Sequence, residues 1–165
     1  MIFLIGRMRP SDWDQAREIY LQGIAGGQAT FETEAPSWES WDANHLAFAR
    51  LVARDGERVI GWAALSPVSA RRAYAGVAEA SVYVAFDRHG MGAGRQLLEA
   101  LISESEQNGI WTLQAVMFPE NLASMALHRA CGFREVGRRE RISELNGVWR
   151  DTVLLERRST RIGVD

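Results

Sequence analysis

Glycines at 90, 92 and 94 alternate with other residues between an apolar run, "SVYVAF", and the helical pattern "RQLLEALISESE". Glycine lets a backbone approach a ligand closely and adopt positive φ. Successive N–H groups in such a turn converge on phosphate oxygens, and the helix start adds about half a positive charge. The chemistry is therefore anion binding. A dinucleotide fingerprint needs Gly-x-Gly-x-x-Gly and an acidic residue about 20 positions on. Here the spacing is Gly-x-Gly-x-Gly, and the following strand segment, residues 110–118, has no acid. A Walker loop needs Gly-Lys-Ser/Thr, and the chain has no lysine. The spacing alone also fits a plain turn capping a helix.

Composition narrows the chemistry further. The 165 residues suit one domain spanning 1–165, and 47% hydrophobic content is enough for a core without disulfides or metal. All 19 basic residues are arginine, so no side-chain amine exists to form a Schiff base. His45, His89, His128 and the single Cys131 are too dispersed for a zinc site, and no metal is expected. With one cysteine no internal disulfide is possible, which is compatible with a reducing, cytoplasmic setting. A net charge of −2 gives no reason to expect nucleic acid or an acidic membrane as partner. No apolar run approaches the roughly 18 residues of a membrane span. The opening "MIFLIGRMRP" reads as a strand rather than a signal peptide.

Around the glycine turn the elements alternate. Residues 2–8 read as a strand. A helix follows with Ser11 as N-cap, Trp13, Ala16, Ile19, Tyr20 and Ile24 at helical spacing, and a stop at Gly26-Gly27. Ser37 opens a second helix over 38–50. Asp55-Gly56 joins a hairpin, residues 77–86 form a strand, and 92–107 form the helix behind the glycines. A strand at 110–118 precedes a helix from Asn121 to a stop at Gly132. Asn146-Gly147 joins two last strands, and the polar tail 159–165 reads as frayed. The arginines at 134, 138, 139 and 141 alternate with Glu135, Glu140 and Glu144, as on a salt-bridged strand face. The fold class is α/β, on a mixed sheet.

Several motifs in this order resemble the GNAT family of acyl-CoA-dependent N-acetyltransferases. They are His89-Gly90-Met91-Gly92-Ala93-Gly94, then Asn121, Ser124, His128 and Gly132-Phe133. The likeness is greatest to the branch that acetylates phosphinothricin and methionine sulfoximine. Its marks are Thr30-Phe31-Glu32-Thr33-Glu34, Arg71 with Ala73-Tyr74, and Glu79-Ala80-Ser81-Val82-Tyr83-Val84. One departure is His89, where the family usually carries Gln or Arg.

The resemblance implies one GNAT-like domain, a mostly antiparallel sheet of about seven strands with about four helices, and acetyl-CoA as co-substrate. Backbone amides from Gly90 through Met91, Gly92, Ala93 and Gly94 to Arg95 would hold its pyrophosphate, with His89 alongside. The strand end at Val82, Tyr83 and Val84 would pair with the pantetheine arm. Asn121 would cap its helix and bond the pantetheine, with Ser124 beside it. Glu79 is the expected general base and His128 the expected acid for the leaving thiolate. Glu79 equally suits a solvent-facing strand residue, and His128 a packed one. Phe31, Arg71, Arg72 and Tyr74 are expected around a small amine acceptor, since arginine's fork suits carboxylate or phosphinate. A homodimer is implied, with the arginine loop reaching the partner's site. An N-terminal peptide acetyltransferase and a non-catalytic coenzyme A sensor remain alternatives.

Overall fold

The structure, a computed structural model, describes residues 2–165. In chain order it has β1 (Leu4–Arg7), α1 (Trp13–Gly26), α2 (Trp38–Asn44), β2 (Leu51–Asp55), β3 (Arg58–Pro67) and β4 (Val77–Val84). Then come α3 (Ala93–Gln107), β5 (Thr112–Met117), α4 (Leu122–Ala130), β6 (Arg134–Leu145) and β7 (Val148–Arg158). Short 3₁₀ turns lie at Pro10–Asp12, Arg72–Tyr74 and Phe86–Arg88. The strands form one sheet in the order β1-β2-β3-β4-β5-β7-β6, antiparallel throughout except between β4 and β5. This is the mixed, mostly antiparallel α/β sheet with four helices that the sequence led us to expect. Among the described residues no helix is long and apolar enough to cross a membrane.

Period-two alternation divides the core between the two faces of the sheet. Leu51, Ala53, Ala63, Leu65, Ala78 and Ala80 share a cluster with Leu97, Leu98 and Leu101 of α3. Val52, Trp62 and Ala64, one residue out of step, join Trp13, Ala16 and Ile19 of α1 and Trp41 of α2. Leu97, Leu98 and Leu101 are fully buried, each worth about 1.5–3 kcal/mol relative to exposure. Helices α1 and α2 thus cover one face and α3 the other, so Glu79, Ser81 and Tyr83 of β4 lie on the α1/α2 side.

Three expectations are corrected. Asp12, not Ser11, organises the start of α1: it is buried, takes the Arg9 N–H at 2.8 Å and pairs with Arg54 at 2.7 Å. Pro10 opens a 3₁₀ turn there instead. Helix α2 ends at Asn44, not residue 50, because the Leu46 N–H donates to the Leu65 carbonyl (2.8 Å) and Ala49 takes φ 56°. Ser37 caps it as expected, accepting from the Ser40 N–H. The tail is not frayed at its start: buried Ser159 donates its N–H to the Trp111 carbonyl (2.7 Å) and its hydroxyl to Glu106 (2.9 Å). Gly163 sits on Trp111, held by an Arg158 hydrogen bond to its carbonyl. A polar tail looks solvated in sequence; here its polar groups are used as anchors.

Candidate active site

The site grows from a break in the sheet. Strands β4 and β5 pair only through Val77↔Thr112, Ala78↔Leu113 and Glu79↔Gln114. Beyond Glu79, β4 stays with β3 as far as Val84↔Gly61, while β5 stays with β7 as far as Met117↔Val153. A gap opens between them. The Ala85 N–H donates to the Ile60 carbonyl on the β3 side (2.9 Å). By alternation the Val84 and Val82 amides point the other way, into the gap.

The glycine turn closes one end of the gap. Gly90 and Gly92 have φ of 74° and 91°, and Gly92 is the N-cap of α3. That left-handed conformation is what glycine allows cheaply. The N–H groups of Ala93, Gly94 and Arg95 open the helix, where no earlier carbonyl can accept them within it. His89 Nε2 donates to the Val84 carbonyl at 2.8 Å, and its ring meets Phe86 edge-on at 5.4 Å. The family's departure at this position therefore pins the turn to β4. Arg88 is tied to Asp55 and Asp87, and Arg95 to Glu99. Met91 is exposed beside the turn. A cleft of about 710 Å³ runs from Gly90, Gly92 and Arg95 along Val82–Val84 to Asn121, Ser124 and His128.

A second hollow of about 410 Å³ adjoins it on the α1/α2 side, sharing Val82, Tyr83, Asn121, Ser124 and His128. Half-buried Glu79 lines it, Oε1 accepting from Gln114 Nε2 at 3.0 Å. The Tyr83 ring packs against both Tyr20 (5.0 Å) and Trp62 (4.7 Å), which also meet each other at 6.0 Å, and burial pushes its phenol pKa up. Buried His128 donates Nδ1–H to the Ser124 carbonyl at 2.8 Å. Burial is also the chief reason its pKa falls below 6.5, against the opposing hydrogen bond to Ser124. At neutral pH the ring is uncharged, and Nε2 is an acceptor. Asn121 caps α4 as expected, Oδ1 accepting from the Ser124 N–H (3.2 Å), and its Nδ2 donates to the Gln28 carbonyl (3.2 Å).

Of the expected acceptor residues, Phe31 lines this hollow, edge-on to Phe118 at 4.7 Å. Arg71, Arg72 and Tyr74 do not. They lie on an exposed loop, with the Arg71 guanidinium 5.8 Å from the Tyr74 ring centre. Sequence reasoning missed Glu32, His45 and Trp41, which line the hollow, and Arg150, which holds its loop. Glu32 occupies the open position of Thr-Phe-x-Thr-Glu, which was the available signal for it. His45 follows α2 directly, and its Nδ1 donates to the Trp41 carbonyl at 2.6 Å. Among the described residues no group of three or more His, Cys, Asp or Glu could hold a metal ion.

Comparison with known proteins agrees with this geometry. The model of the acetyltransferase (GNAT) family matches residues 12–133. The chain is 34% identical to phosphinothricin N-acetyltransferase of Alcaligenes faecalis over 157 residues, 91% of this chain and 79% of that one. It is 35% identical to the L-methionine sulfoximine/L-methionine sulfone acetyltransferase of Pseudomonas paraeruginosa over 134 residues, 81% of this chain and 73% of that one. Its fold is similar to a phosphinothricin acetyltransferase from Sinorhizobium meliloti crystallised with acetyl-CoA. That likeness has a TM-score of 0.88 and 29% identity, and covers 96% of this chain and 89% of the other. With its open sheet, glycine turn and adjoining hollows, the chain belongs to the GNAT family of acetyltransferases.

Proposed function

We propose that the protein transfers an acetyl group from acetyl-CoA to the amine of a small amino-acid-like acceptor of the phosphinothricin, methionine sulfoximine or methionine sulfone type. The observation that carries this reading is the junction of the two hollows at the gap between β4 and β5, with Glu79 lining the smaller one. The residues present fit the co-substrate. The amides of Gly90–Arg95 suit a diphosphate, and the Val82 and Val84 amides, which face the gap, suit an extended amide-bearing arm. The 29%-identical relative crystallised with acetyl-CoA supports the same assignment.

When bound, acetyl-CoA supplies the thioester carbon that the amine attacks and the thiolate that leaves. An ammonium has no lone pair, so a base must first remove its proton. Glu79 takes that proton, directly or through water. The Val84 N–H, which points into the gap, holds the thioester oxygen as negative charge builds there. The N–C bond forms and the C–S bond breaks. His128 Nε2, an acceptor at rest because the ring's single proton sits on Nδ1 against the Ser124 carbonyl, takes the second proton that the nitrogen sheds as the N–C bond forms and returns it to the sulfur as the C–S bond breaks. Arg71, Arg72 and Tyr74, which lie outside this chain's own hollow, act on a second copy's acceptor in a homodimer.

A thiol-release assay with acetyl-CoA tests the reading. Turnover with methionine sulfoximine, methionine sulfone or phosphinothricin is expected. Turnover with peptides alone, or binding of acetyl-CoA without thiol release, would overturn it.

A further inference from the structure

We infer that His45 determines specificity: its Nε2 accepts a hydrogen bond from a donor on the acceptor's side chain, which favours a sulfoximine over a sulfone. The inference rests on the acetyl-transfer reading above and deepens it.

The ring of His45 is fixed on three sides. Its Nδ1–H is committed to the Trp41 carbonyl at 2.6 Å. Its face stacks on the Trp41 indole with centroids 4.1 Å apart, and it meets Trp62 edge-on at 6.4 Å. The ring lines the 410 Å³ hollow, and Nε2 has no partner among the described residues. Burial is the main cause lowering the His45 pKa below 6.5, with Arg50 adding repulsion and the Trp41 carbonyl opposing. A neutral imidazole with its proton on Nδ1 can only accept at Nε2.

The rest of the hollow points the same way. Its other charged side chains are the carboxylates Glu32 and Glu79, and no arginine is among the described residues lining it. Trp41, Trp62 and Phe31 provide aromatic surface for a methyl-sulfur group. The indole N–H groups of Trp41 and Trp62 are buried and unpartnered. A sulfoximine carries a methyl on sulfur and an N–H that donates. A sulfone of the same shape carries two oxygens that only accept, which leaves Nε2 facing an acceptor. A site built to receive a donor rejects the analogue that lacks it.

The test compares kcat/KM for methionine sulfoximine and methionine sulfone in the wild type and in His45→Phe, which keeps an aromatic ring on Trp41. The wild type is expected to prefer the sulfoximine about tenfold, the order of one mismatched buried hydrogen bond. In His45→Phe the preference falls to within about twofold while the sulfone value changes by less than about threefold. Nitrogen NMR of the wild-type imidazoles, with coenzyme A present, reads the same contact without turnover. The His45 Nε2 resonance is expected to move with the sulfoximine and not with the sulfone. Equal wild-type values, a preference that survives in folded His45→Phe, or an equal loss on both acceptors overturns the inference. If the wild type turns over neither compound nor phosphinothricin, the proposed function falls, and the NMR titration still decides the role of His45.

Discussion

The Arg150 guanidinium lies on the face of Phe118, its central carbon 3.7 Å from the ring centroid. From there it donates to the Gly27 carbonyl and to Gln28 Oε1, each at 2.7 Å. Phe118 meets Phe31 edge-on, so one arginine of β7 ties down the loop that carries Phe31 and Glu32 into the acceptor hollow.

Arg150→Ala is therefore expected to loosen that loop more than it disturbs the sheet. KM for the amine rises about tenfold, while kcat falls by less than about threefold. Stability drops by about 2 kcal/mol, as the hydrogen bonds to Gly27 and Gln28, the ion pair with Glu120 and a cation–π contact are lost. Steady-state kinetics and a urea melt check both figures.

Glu79→Gln keeps the shape of the residue and can still accept from Gln114, so the fold is expected to persist. Removing a general base lowers kcat by about 100-fold or more. Calorimetric affinity for acetyl-CoA stays within about twofold. Unchanged turnover removes Glu79 from its role.

Gly92→Ala forces a side chain into φ 91° at the N-cap of α3. The strain is about 1–2 kcal/mol. A Cβ there meets only Gln96 Nε2, at 3.6 Å, so the expected damage is to backbone conformation and not to packing. Acetyl-CoA affinity falls at least tenfold, and the midpoint of thermal unfolding falls with it.

His45 and His128 both have folded pKa values below the ordinary 6.5, chiefly because burial penalises the charged ring. Between the folded and unfolded values, the unfolded chain binds protons that the folded chain does not. Stability therefore rises with pH through that window and is lost as pH falls below about 6.5. Thermal unfolding at pH 5.5 and 7.5 should show the lower midpoint at pH 5.5, with a smaller difference in His128→Phe.

Much of the fold was legible because local patterns matched tertiary ones. Asp55-Gly56 and Asn146-Gly147 sit at the two hairpin turns, and Gly27, Gly109 and Gly132 stop helices in the left-handed conformation. The stretch after α2 misled because His45 and Phe48 continue the helical spacing of Trp38 and Trp41. What bends them away is the Leu46 bond to Leu65 on β3, a partner the local pattern does not show. The glycine turn was legible for the same reason the hairpins were: Gly90 and Gly92 bend their own backbone, at φ 74° and 91°. The lining of the smaller hollow was not. His45 matters through its stacking on Trp41 and its place in the hollow, and Arg150 through contacts made 123 residues away, and neither leaves a periodic trace.

The short junction of β4 with β5 has a mechanical consequence. Three residue pairs are little ladder to carry load across the middle of a seven-stranded sheet. If the proposed co-substrate arm pairs with Val82 and Val84, it adds hydrogen bonds where the ladder is shortest, and amide exchange in β4 is expected to slow when the co-substrate is added.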